Sequence, residues 1–301
     1  MDDLFLSAAQ SWFQRLSSCF KLGRRVLAGF LFFYPEVDMA ARPQVTDIHS
    51  RDNAFVKELR RLSQDSSAYR KQAQVWLEGD HLCRAALARG LQPKVAVFAQ
   101  SFWPSVPQEW AQAASKVIVL ADALFDEISS LESPARMGYV MDWDAGVQVQ
   151  PGVATVVLDR VQDAGNVGSI LRSASAFGFT QIVALKGTAA LWSQKVLRAG
   201  MGAHFGLHLV EAASVEDVKA LQVPLVVTSS HQGTLIHEAD LPWPCAWAMG
   251  HEGQGVGEAL MEMAQRRISI AQPGGEESLN VAAAAAICLH ASSVSMLRRR
   301  G

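Results

Sequence analysis

The strongest constraint on the fold lies in the second half of the chain, where short apolar runs alternate with helical stretches. Residues 153–158 form an apolar run that does not alternate with polar residues. Similar runs follow at residues 181–185, 207–210, 225–228, 245–249 and 268–271. Strands of this kind, separated by helices, are typical of a parallel sheet that is covered on both faces. The sequence therefore predicts an α/β fold whose ligands bind at the carboxyl ends of the strands.

The first half of the chain predicts a smaller α/β unit. Residues 47–90 show mainly a helical pattern, and residues 75–77, 94–99 and 116–120 have the composition of short strands. A turn-rich stretch over residues 141–152 marks the expected boundary. We therefore expect one domain over residues 43–145 and a second over residues 150–301. Residues 1–40 are interpreted as a mobile extension.

Two global properties narrow the function classes. Half of the residues (50%) are hydrophobic, which excludes a disordered chain. The net charge of −2 gives no general argument for nucleic acid, but residues 42–71 contain seven Lys or Arg and four Asp or Glu, a local charge of +3. This segment predicts phosphate contacts, with Tyr69 able to stack on a base; a solvated helix face is the alternative. The candidate phosphate-binding residues are Arg51, Lys57, Arg60, Arg61, Arg70 and Lys71.

The cysteines and the longest apolar run near the N-terminus predict a cytoplasmic chain without disulfides. Cys19, Cys83, Cys245 and Cys288 are too far apart for CxxC spacing, so we expect buried, reduced thiols and no metal site. The run over residues 26–34 has nine residues, which is too short to span a bilayer. No membrane association is expected.

Three predicted strands are followed by polar, glycine-containing loops. The first loop carries Asn166, which can cap the following helix, and Arg172 lies further along that helix. The second contains four glycines in eight residues around Glu252, which suits close approach of a ligand to the backbone. The third opens the last helix with Ser278, a natural N-cap, and Asn280. The G-x-G-x-x-G and Gly-Lys-Ser/Thr fingerprints are absent from these loops.

Together these loops resemble the three ordered motifs of the SpoU (TrmH-type) branch of the SPOUT superfamily, RNA ribose 2′-O-methyltransferases that use S-adenosylmethionine. The similar motifs are Asn166-x-Gly168-x3-Arg172, Gly250-x-Glu252-Gly253-x-Gly255 and Ser278-Leu279-Asn280-Val281. A weaker similarity over residues 50–79 points to the RNA-binding domain of that family. The chain departs from the family at Ala271–Gln272, where Pro–Met is usual, at Ala164, where Pro is frequent, and at Gly200, where Ser is usual.

The resemblance implies a SPOUT-type parallel sheet with a C-terminal trefoil knot and a homodimer formed through the knotted domain. It implies catalytic roles for Arg172, Asn166, Glu252, Ser278 and Asn280. Cofactor contacts, mostly through the main chain, are carried over to Gly250, Ile270, Leu279 and Thr228. Transfer RNA and ribosomal RNA both stay open as substrates.

Arg172 is not suited to remove the proton of the ribose hydroxyl, because a guanidinium with a pKa above 12 is a poor general base. Our hypothesis is that it binds the adjacent phosphate and stabilises the developing alkoxide. Glu252 could hold the amides of its own loop or Arg172. Two other functions remain as alternatives: a non-catalytic RNA-binding or assembly module on the same fold, and a nucleotide-dependent oxidoreductase, which the missing G-x-G-x-x-G disfavours.

Overall fold

A computed structural model describes residues 43–129, 131, 133–229, 233–274 and 278–300, so the predicted extension over residues 1–40 lies outside the described residues. The first of two sheets has the strand order β1-β4-β3-β5-β2. Its β5 is antiparallel to both neighbours, and the remaining pairs are parallel. The strands are β1 (Gln44–Ile48), β2 (Gln74–Glu78), β3 (Val95–Ala99), β4 (Lys116–Leu120) and β5 (Met137–Asp142). The helices of this part are α1 (Ala54–Gln64), α2 (Ala68–Gln72), α3 (Asp80–Ala88), α4 (Gln108–Ala111) and α5 (Asp122–Ile128).

The sequence prediction was incomplete at two strands of this first sheet. Strand β1 is an edge strand in which only Ile48 is buried, so it lacks an apolar pattern that would reveal it. Strand β5 runs into the turn-rich stretch and contains Gly138, a residue that disfavours strands. A Cβ on Gly138 would lie 2.1 Å from Cη2 of Trp76, so the glycine admits the buried indole of the neighbouring strand.

The second sheet confirms the predicted parallel α/β architecture. Its strand order is β10-β12-β9-β11-β6-β7-β8, and every neighbouring pair is parallel. The strands are β6 (Thr155–Leu158), β7 (Gln181–Leu185), β8 (His208–Ala213), β9 (Leu225–Thr228), β10 (Thr234–Leu235), β11 (Ala246–Met249) and β12 (Arg266–Ser269). The helices are α6 (Ala164–Ala176), α7 (Gln194–Gly200), α8 (Val215–Lys219), α9 (Glu258–Met263) and α10 (Val281–Arg300).

Both faces of the second sheet are buried, because successive side chains of its strands point to opposite sides. Val156 and Trp247 lie in one core with residues of α6 and α10. Val157 and Ala248, their neighbours in sequence, lie in another core with Val218 and Leu260 of the helices opposite. Apolar cores therefore cover both faces of the sheet, and the polar loops lie at the strand ends.

Helix α10 buries one face and leaves the opposite face uncovered. Ala285, Cys288 and Leu289 are fully buried, and the buried Ser292 Oγ accepts a hydrogen bond from Nε1 of Trp247 at 2.8 Å. On the other side Ile287 and Leu297 are 40% and 59% exposed. By length and composition, residues 281–299 could also cross a membrane. Here the helix packs against α6 and β11 as part of the second core.

The two sheets are joined around a buried carboxylate. Glu211 Oε1 on β8 accepts hydrogen bonds from the Tyr69 hydroxyl at 2.6 Å, from Arg70 Nη2 at 3.0 Å and from the backbone N–H of Leu191 at 2.9 Å. Residues 42–301 pack as one compact unit. The division into two domains stays a prediction, and so does the knot, since residues 275–277 of its third loop lie outside the described residues.

Candidate active site

Three loops meet at the carboxyl edge of the second sheet, where the sequence predicts a ligand site. Residues 159–163 follow β6, residues 250–257 (the glycine loop) follow β11, and residues 270–280 connect β12 to α10. Strands β6 and β11 are parallel neighbours, and β9 links β11 to β12. Because all these strands are parallel, their carboxyl ends lie along one edge.

Side chains from the three loops form one hydrogen-bonded chain. Asn166 Nδ2 donates to Oε1 of Glu252 at 3.1 Å, and Asn166 Oδ1 accepts from Nδ2 of Asn280 at 3.0 Å. The amide of Asn166 therefore connects the other two loops, using its donor in one direction and its acceptor in the other. This arrangement brings together three of the five residues to which the resemblance assigns catalysis.

Glu252 connects the glycine loop to the first loop through hydrogen bonds. Its two carboxylate oxygens accept the backbone N–H groups of Gln162 at 3.2 Å and Asp163 at 3.1 Å. Burial raises the pKa of Glu252, but the hydrogen bonds from Asn166, Asp163 and Gln162 outweigh it and hold that pKa below the ordinary value. The carboxylate binds amides of the first loop, whereas the sequence suggested amides of its own loop or Arg172.

The helix caps differ from the sequence prediction. The N-cap of α6 is Asp163, whose Oδ1 accepts the backbone N–H of Asn166 at 2.7 Å, so Asn166 lies inside the helix. Asn280 Oδ1 accepts the N–H groups of Ala282 and Ala283 at 2.9 and 3.2 Å and caps α10. The prediction of Ser278 as N-cap was wrong, because Asn280 caps the helix while its Nδ2 reaches Asn166.

A cleft of about 890 Å³ opens between the glycine loop and the third loop. All four residues assigned to cofactor contacts line it: Gly250, Ile270, Leu279 and Thr228. Glu252, Ser278 and Asn280 also line this cleft, and Ser278 is exposed there. The cleft therefore brings the four predicted cofactor residues together with three of the five predicted catalytic residues.

Two features distinguish the lining of the cleft: a tightly folded glycine loop and a buried acceptor without a partner in the described part of the chain. A Cβ on Gly250 would lie 2.1 Å from the carbonyl carbon of Gly255, so the glycine loop folds back on itself more tightly than any side chain allows. Gln272 Oε1, in the cleft lining, is buried and has no hydrogen-bond partner among the described residues. A bound group with a donor could satisfy it.

Arg172 lies apart from the cleft. It is exposed on α6, whereas its neighbours Ile170 and Leu171 are fully buried. Arg172 is not among the residues that line the cleft. The structure therefore does not bring Arg172 to the cleft that Glu252, Ser278 and Asn280 line.

The basic segment over residues 42–71 is largely paired with acidic groups. Arg51 and Arg60 both form ion pairs with Glu127, and Lys57 Nζ lies 3.0 Å from Asp52. Within the described ranges, Arg61 and Lys71 are exposed and have no carboxylate oxygen within 4.0 Å.

The prediction that Tyr69 stacks on a base was wrong. The residue is 3% exposed, and its ring packs edge-on against Trp143 at a centroid distance of 5.0 Å. Burial and the neighbouring Glu211 raise the pKa of its hydroxyl well above the ordinary value. Arg70 is engaged as well, because it pairs with Glu211 and lies over the Tyr69 ring.

Sequence reasoning missed two charged residues at the end of β6. Arg160 binds the buried Asp159 through Nε at 2.8 Å and Nη2 at 3.1 Å, and this hydrogen bonding raises the pKa of Arg160. Their position directly after a buried strand was the feature of the sequence that could have indicated them. As for metals, no group of three or more potential ligands occurs in the part of the chain that the structure describes.

Comparisons with known proteins identify the family. The SpoU rRNA Methylase family matches residues 154–290, and the MRM3-like substrate binding domain matches residues 53–137. The chain is 30% identical over 256 residues to the uncharacterized tRNA/rRNA methyltransferase slr1673 of Synechocystis, covering 82% of this chain and 93% of that protein. It is 29% identical over 248 residues to the 23S rRNA (guanosine(2553)-2′-O)-methyltransferase RlmP of Bacillus subtilis, covering 81% of this chain and 97% of that protein.

A solved structure supports the same assignment. The AdoMet-bound rRNA methyltransferase from Sinorhizobium meliloti superposes with a TM-score of 0.72 at 26% identity, covering 85% of this chain and 98% of that one. The match extends over both sheets described above, since it covers 85% of this chain. With its three loops, its parallel sheet and these relatives, the chain belongs to the SpoU rRNA Methylase family.

Proposed function

We infer that this chain is an S-adenosylmethionine-dependent RNA methyltransferase that methylates a ribose 2′-hydroxyl of transfer or ribosomal RNA. The observation that carries this conclusion is the cleft in which Gly250, Ile270 and Leu279 meet the Glu252–Asn166–Asn280 chain. The full-length relative from Bacillus subtilis is named as a 23S rRNA 2′-O-methyltransferase. Ribosomal RNA is therefore the first substrate to test.

The cleft holds the cofactor, and S-adenosylmethionine supplies a methyl group on a sulfonium when bound. Gly250 allows the glycine loop that lines the cleft to fold tightly on itself, because a Cβ there would meet the backbone of Gly255. Ile270, Leu279 and Thr228 complete the lining. Gln272 Oε1 offers a buried acceptor to an amino group of the ligand.

The ribose is positioned by amide and hydroxyl side chains. Asn166 is held by Glu252 and Asn280, and Asn280 by Asn166 and the first turn of α10, so their ordering adds little conformational entropy cost when substrate binds. Ser278 lies in the same cleft and can donate to or accept from a ribose hydroxyl. These groups align the nucleophile with the methyl group.

Arg172 binds the phosphate next to the target ribose and stabilises the alkoxide as it develops. A phosphate oxygen or a water molecule takes the proton, since a guanidinium is a poor base. Because Arg172 is exposed and lies outside the cleft of its own chain, we propose that it acts in the cleft of a second copy. Activity recovered by mixing Arg172→Ala with Asn166→Ala subunits would support this, whereas an inactive mixed dimer would contradict it.

A homodimer fits the uncovered face of α10. Ile287 and Leu297 are exposed on this face, and α10 packs against α6, which carries Arg172. Pairing through this face would bury the apolar side chains and bring α6 near the partner. An Ile287→Arg substitution should convert the dimer to a monomer in light scattering. An unchanged mass would contradict the interface.

RNA contacts in the N-terminal part are proposed for Arg61 and Lys71, which are exposed and unpaired among the described residues. Each phosphate contact contributes about one to the slope of log affinity against log salt concentration. Alanine at either position should reduce that slope by about one. Arg60→Ala, whose charge is matched by Glu127, should change it less.

We place the reaction in the cytoplasm. Cys83, Cys245 and Cys288 are buried free thiols, which suits a reducing compartment.

The decisive experiment maps 2′-O-methyl groups across cellular RNA with and without the gene. Loss of one methyl group, restored by the purified protein with S-adenosylmethionine, is the expected result. An RNA with a 2′-deoxyribose at that nucleotide is the control and should accept no methyl group. Absence of binding at millimolar S-adenosylmethionine would overturn the proposal.

A further inference from the structure

We propose that Asp159 and Arg160 form a positioning clamp that holds the glycine loop in its cofactor-binding shape. The inference rests on the proposed function, because it assumes that the loop binds S-adenosylmethionine. Neither residue lines the cleft, so the clamp acts through the loop and does not touch the ligand.

The clamp begins at a buried carboxylate at the carboxyl end of β6. Asp159 is 5% exposed, and its Oδ2 accepts the backbone N–H of Gly257 at 2.6 Å. The backbone N–H of Asp159 donates to the carbonyl of Met249 at 2.8 Å, directly before the glycine loop. Asp159 therefore contacts the chain at both ends of the loop.

Arg160 connects this carboxylate to the middle of the loop. While Nε and Nη2 bind Asp159, its Nη1 donates to Oε1 of Gln254 at 3.0 Å. A planar guanidinium can satisfy these partners simultaneously because its donors form a rigid fork. A lysine ammonium on a flexible stem cannot.

The backbone of Arg160 is held in an unusual conformation that aims the side chain at the loop. Its φ is +59°, in the left-handed region that residues with a Cβ rarely adopt. Its N–H donates to Thr188 Oγ1 at 3.2 Å, and that hydroxyl donates to the carbonyl of Leu158 at 2.9 Å. A Cβ on the adjacent Gly187 would lie 3.2 Å from Cγ of Arg160, so the side chain passes close to that glycine.

The loop needs external support because only a few internal bonds fix it. The backbones of His251 and Gly255 exchange two hydrogen bonds of 3.0 and 2.8 Å, and His251 Nδ1 accepts the N–H of Gly253 at 2.9 Å. Glu252 of this loop accepts the backbone N–H groups of Gln162 and Asp163. The clamp adds two contacts, from Asp159 to Gly257 and from Arg160 to Gln254. The segment that follows β6 thus supports the loop at two separate places.

The test compares Arg160→Asn, Gln254→Ala and Arg160→Lys with the unmodified protein. Asparagine tolerates the left-handed conformation but is too short to reach Gln254. Arg136→Asn is the matched control, because Arg136 pairs with Asp126 in the first part of the chain. Amide hydrogen exchange is measured without cofactor, S-adenosylmethionine binding by calorimetry, and turnover with saturating RNA and varied S-adenosylmethionine.

If the clamp exists, the Gly257 amide should exchange faster in Arg160→Asn even without cofactor. The Kd and KM for S-adenosylmethionine should rise about 10-fold in Arg160→Asn and Gln254→Ala, while kcat changes less than about twofold. Arg160→Lys should recover part of the affinity, and Arg136→Asn should resemble the unmodified protein.

Unchanged exchange and unchanged cofactor affinity in Arg160→Asn would overturn the clamp. A fall in kcat with unchanged Kd would overturn it too, because it would assign Arg160 to the chemistry itself. Failure of the unmodified protein to bind S-adenosylmethionine would instead remove the proposed function, while the exchange of Gly257 would still report on the clamp.

Discussion

Asn280 Nδ2 donates a 3.0 Å hydrogen bond to Oδ1 of Asn166, a residue 114 positions earlier in the chain. The same Asn166 donates to Glu252. One neutral amide thus satisfies an acceptor on one side and a donor on the other, an arrangement that no carboxylate could replace.

Asn166→Asp should therefore disrupt the site. The new carboxylate would face Glu252 without a donor between them, and repulsion at this distance is costly. We expect kcat to fall about 100-fold or more, measured as methyl transfer to RNA. The control is Asn53→Asp: Asn53 Oδ1 caps α1 by accepting the Phe55 N–H at 2.9 Å, a role that aspartate performs equally well. Wild-type turnover in Asn166→Asp would refute the role of the amide.

Gly250→Ala should weaken cofactor binding. Its Cβ would lie 2.1 Å from the backbone of Gly255, so the glycine loop would have to open. We expect at least a roughly 10-fold rise in the Kd for S-adenosylmethionine. Gly253→Ala is the matched control, because the nearest atoms to its Cβ, in the His251 ring, would be 3.8 Å away. Equal affinities in the two variants would show that the tight turn does not shape the cleft.

Arg172→Lys tests the phosphate-binding hypothesis. A bidentate guanidinium contact is not reproduced by an ammonium group, so we expect a loss of about 100-fold in kcat/KM. Since Arg172 is exposed, the Tm should not change. Arg84→Lys, at another exposed helix position, controls for the substitution itself. Near-full turnover in Arg172→Lys would rule out the bidentate role.

Tyr69→Phe separates the observed structural role from base stacking. The variant loses the 2.6 Å hydrogen bond to Glu211 and should be destabilised by about 1.5–3 kcal/mol in urea unfolding. Affinity for RNA should be unaffected, because the ring is buried. Weaker RNA binding with normal stability would restore the stacking interpretation.

His204 predicts a decline in stability toward acid pH. Burial lowers its pKa to about 4, against an ordinary value of 6.5, despite the hydrogen bond to the carbonyl of Leu191. The unfolded chain therefore binds a proton between pH 6.5 and 4 that the folded chain does not. Stability is fully present above about pH 6.5 and falls on the order of 3 kcal/mol toward pH 4.

His204→Gln, which keeps a donor for Leu191, should flatten this part of the pH profile of the urea midpoint. A profile identical to that of the unmodified protein would assign the acid sensitivity to other groups.

The parallel sheet was predictable because strands buried on both faces leave an unmistakable apolar signature, as at residues 153–158. The edge strand β1 left none, since four of its five residues are exposed. Loop motifs identified Asn166, Glu252 and Asn280, and the structure brings them into one hydrogen-bonded chain.

The side chain with which a charged residue pairs is harder to predict from sequence. Local charge does not show that Glu127 and Glu211 neutralise much of the basic segment, because those carboxylates lie 67 and 141 residues from Arg60 and Arg70, respectively. The same limitation hid Arg160, whose contact with Gln254 spans 94 residues. Side-chain pairing across such distances depends on the topology.

The bond between Asn166 and Asn280 also has a consequence for the timing of synthesis. The first loop leaves the ribosome long before the third, and α10 follows only at the end of the described chain. A nascent chain therefore carries Asn166 without its partner Asn280 until 114 further residues have been synthesised. Since the proposed site includes both residues, we expect chains that stop before residue 280 to lack methylation activity.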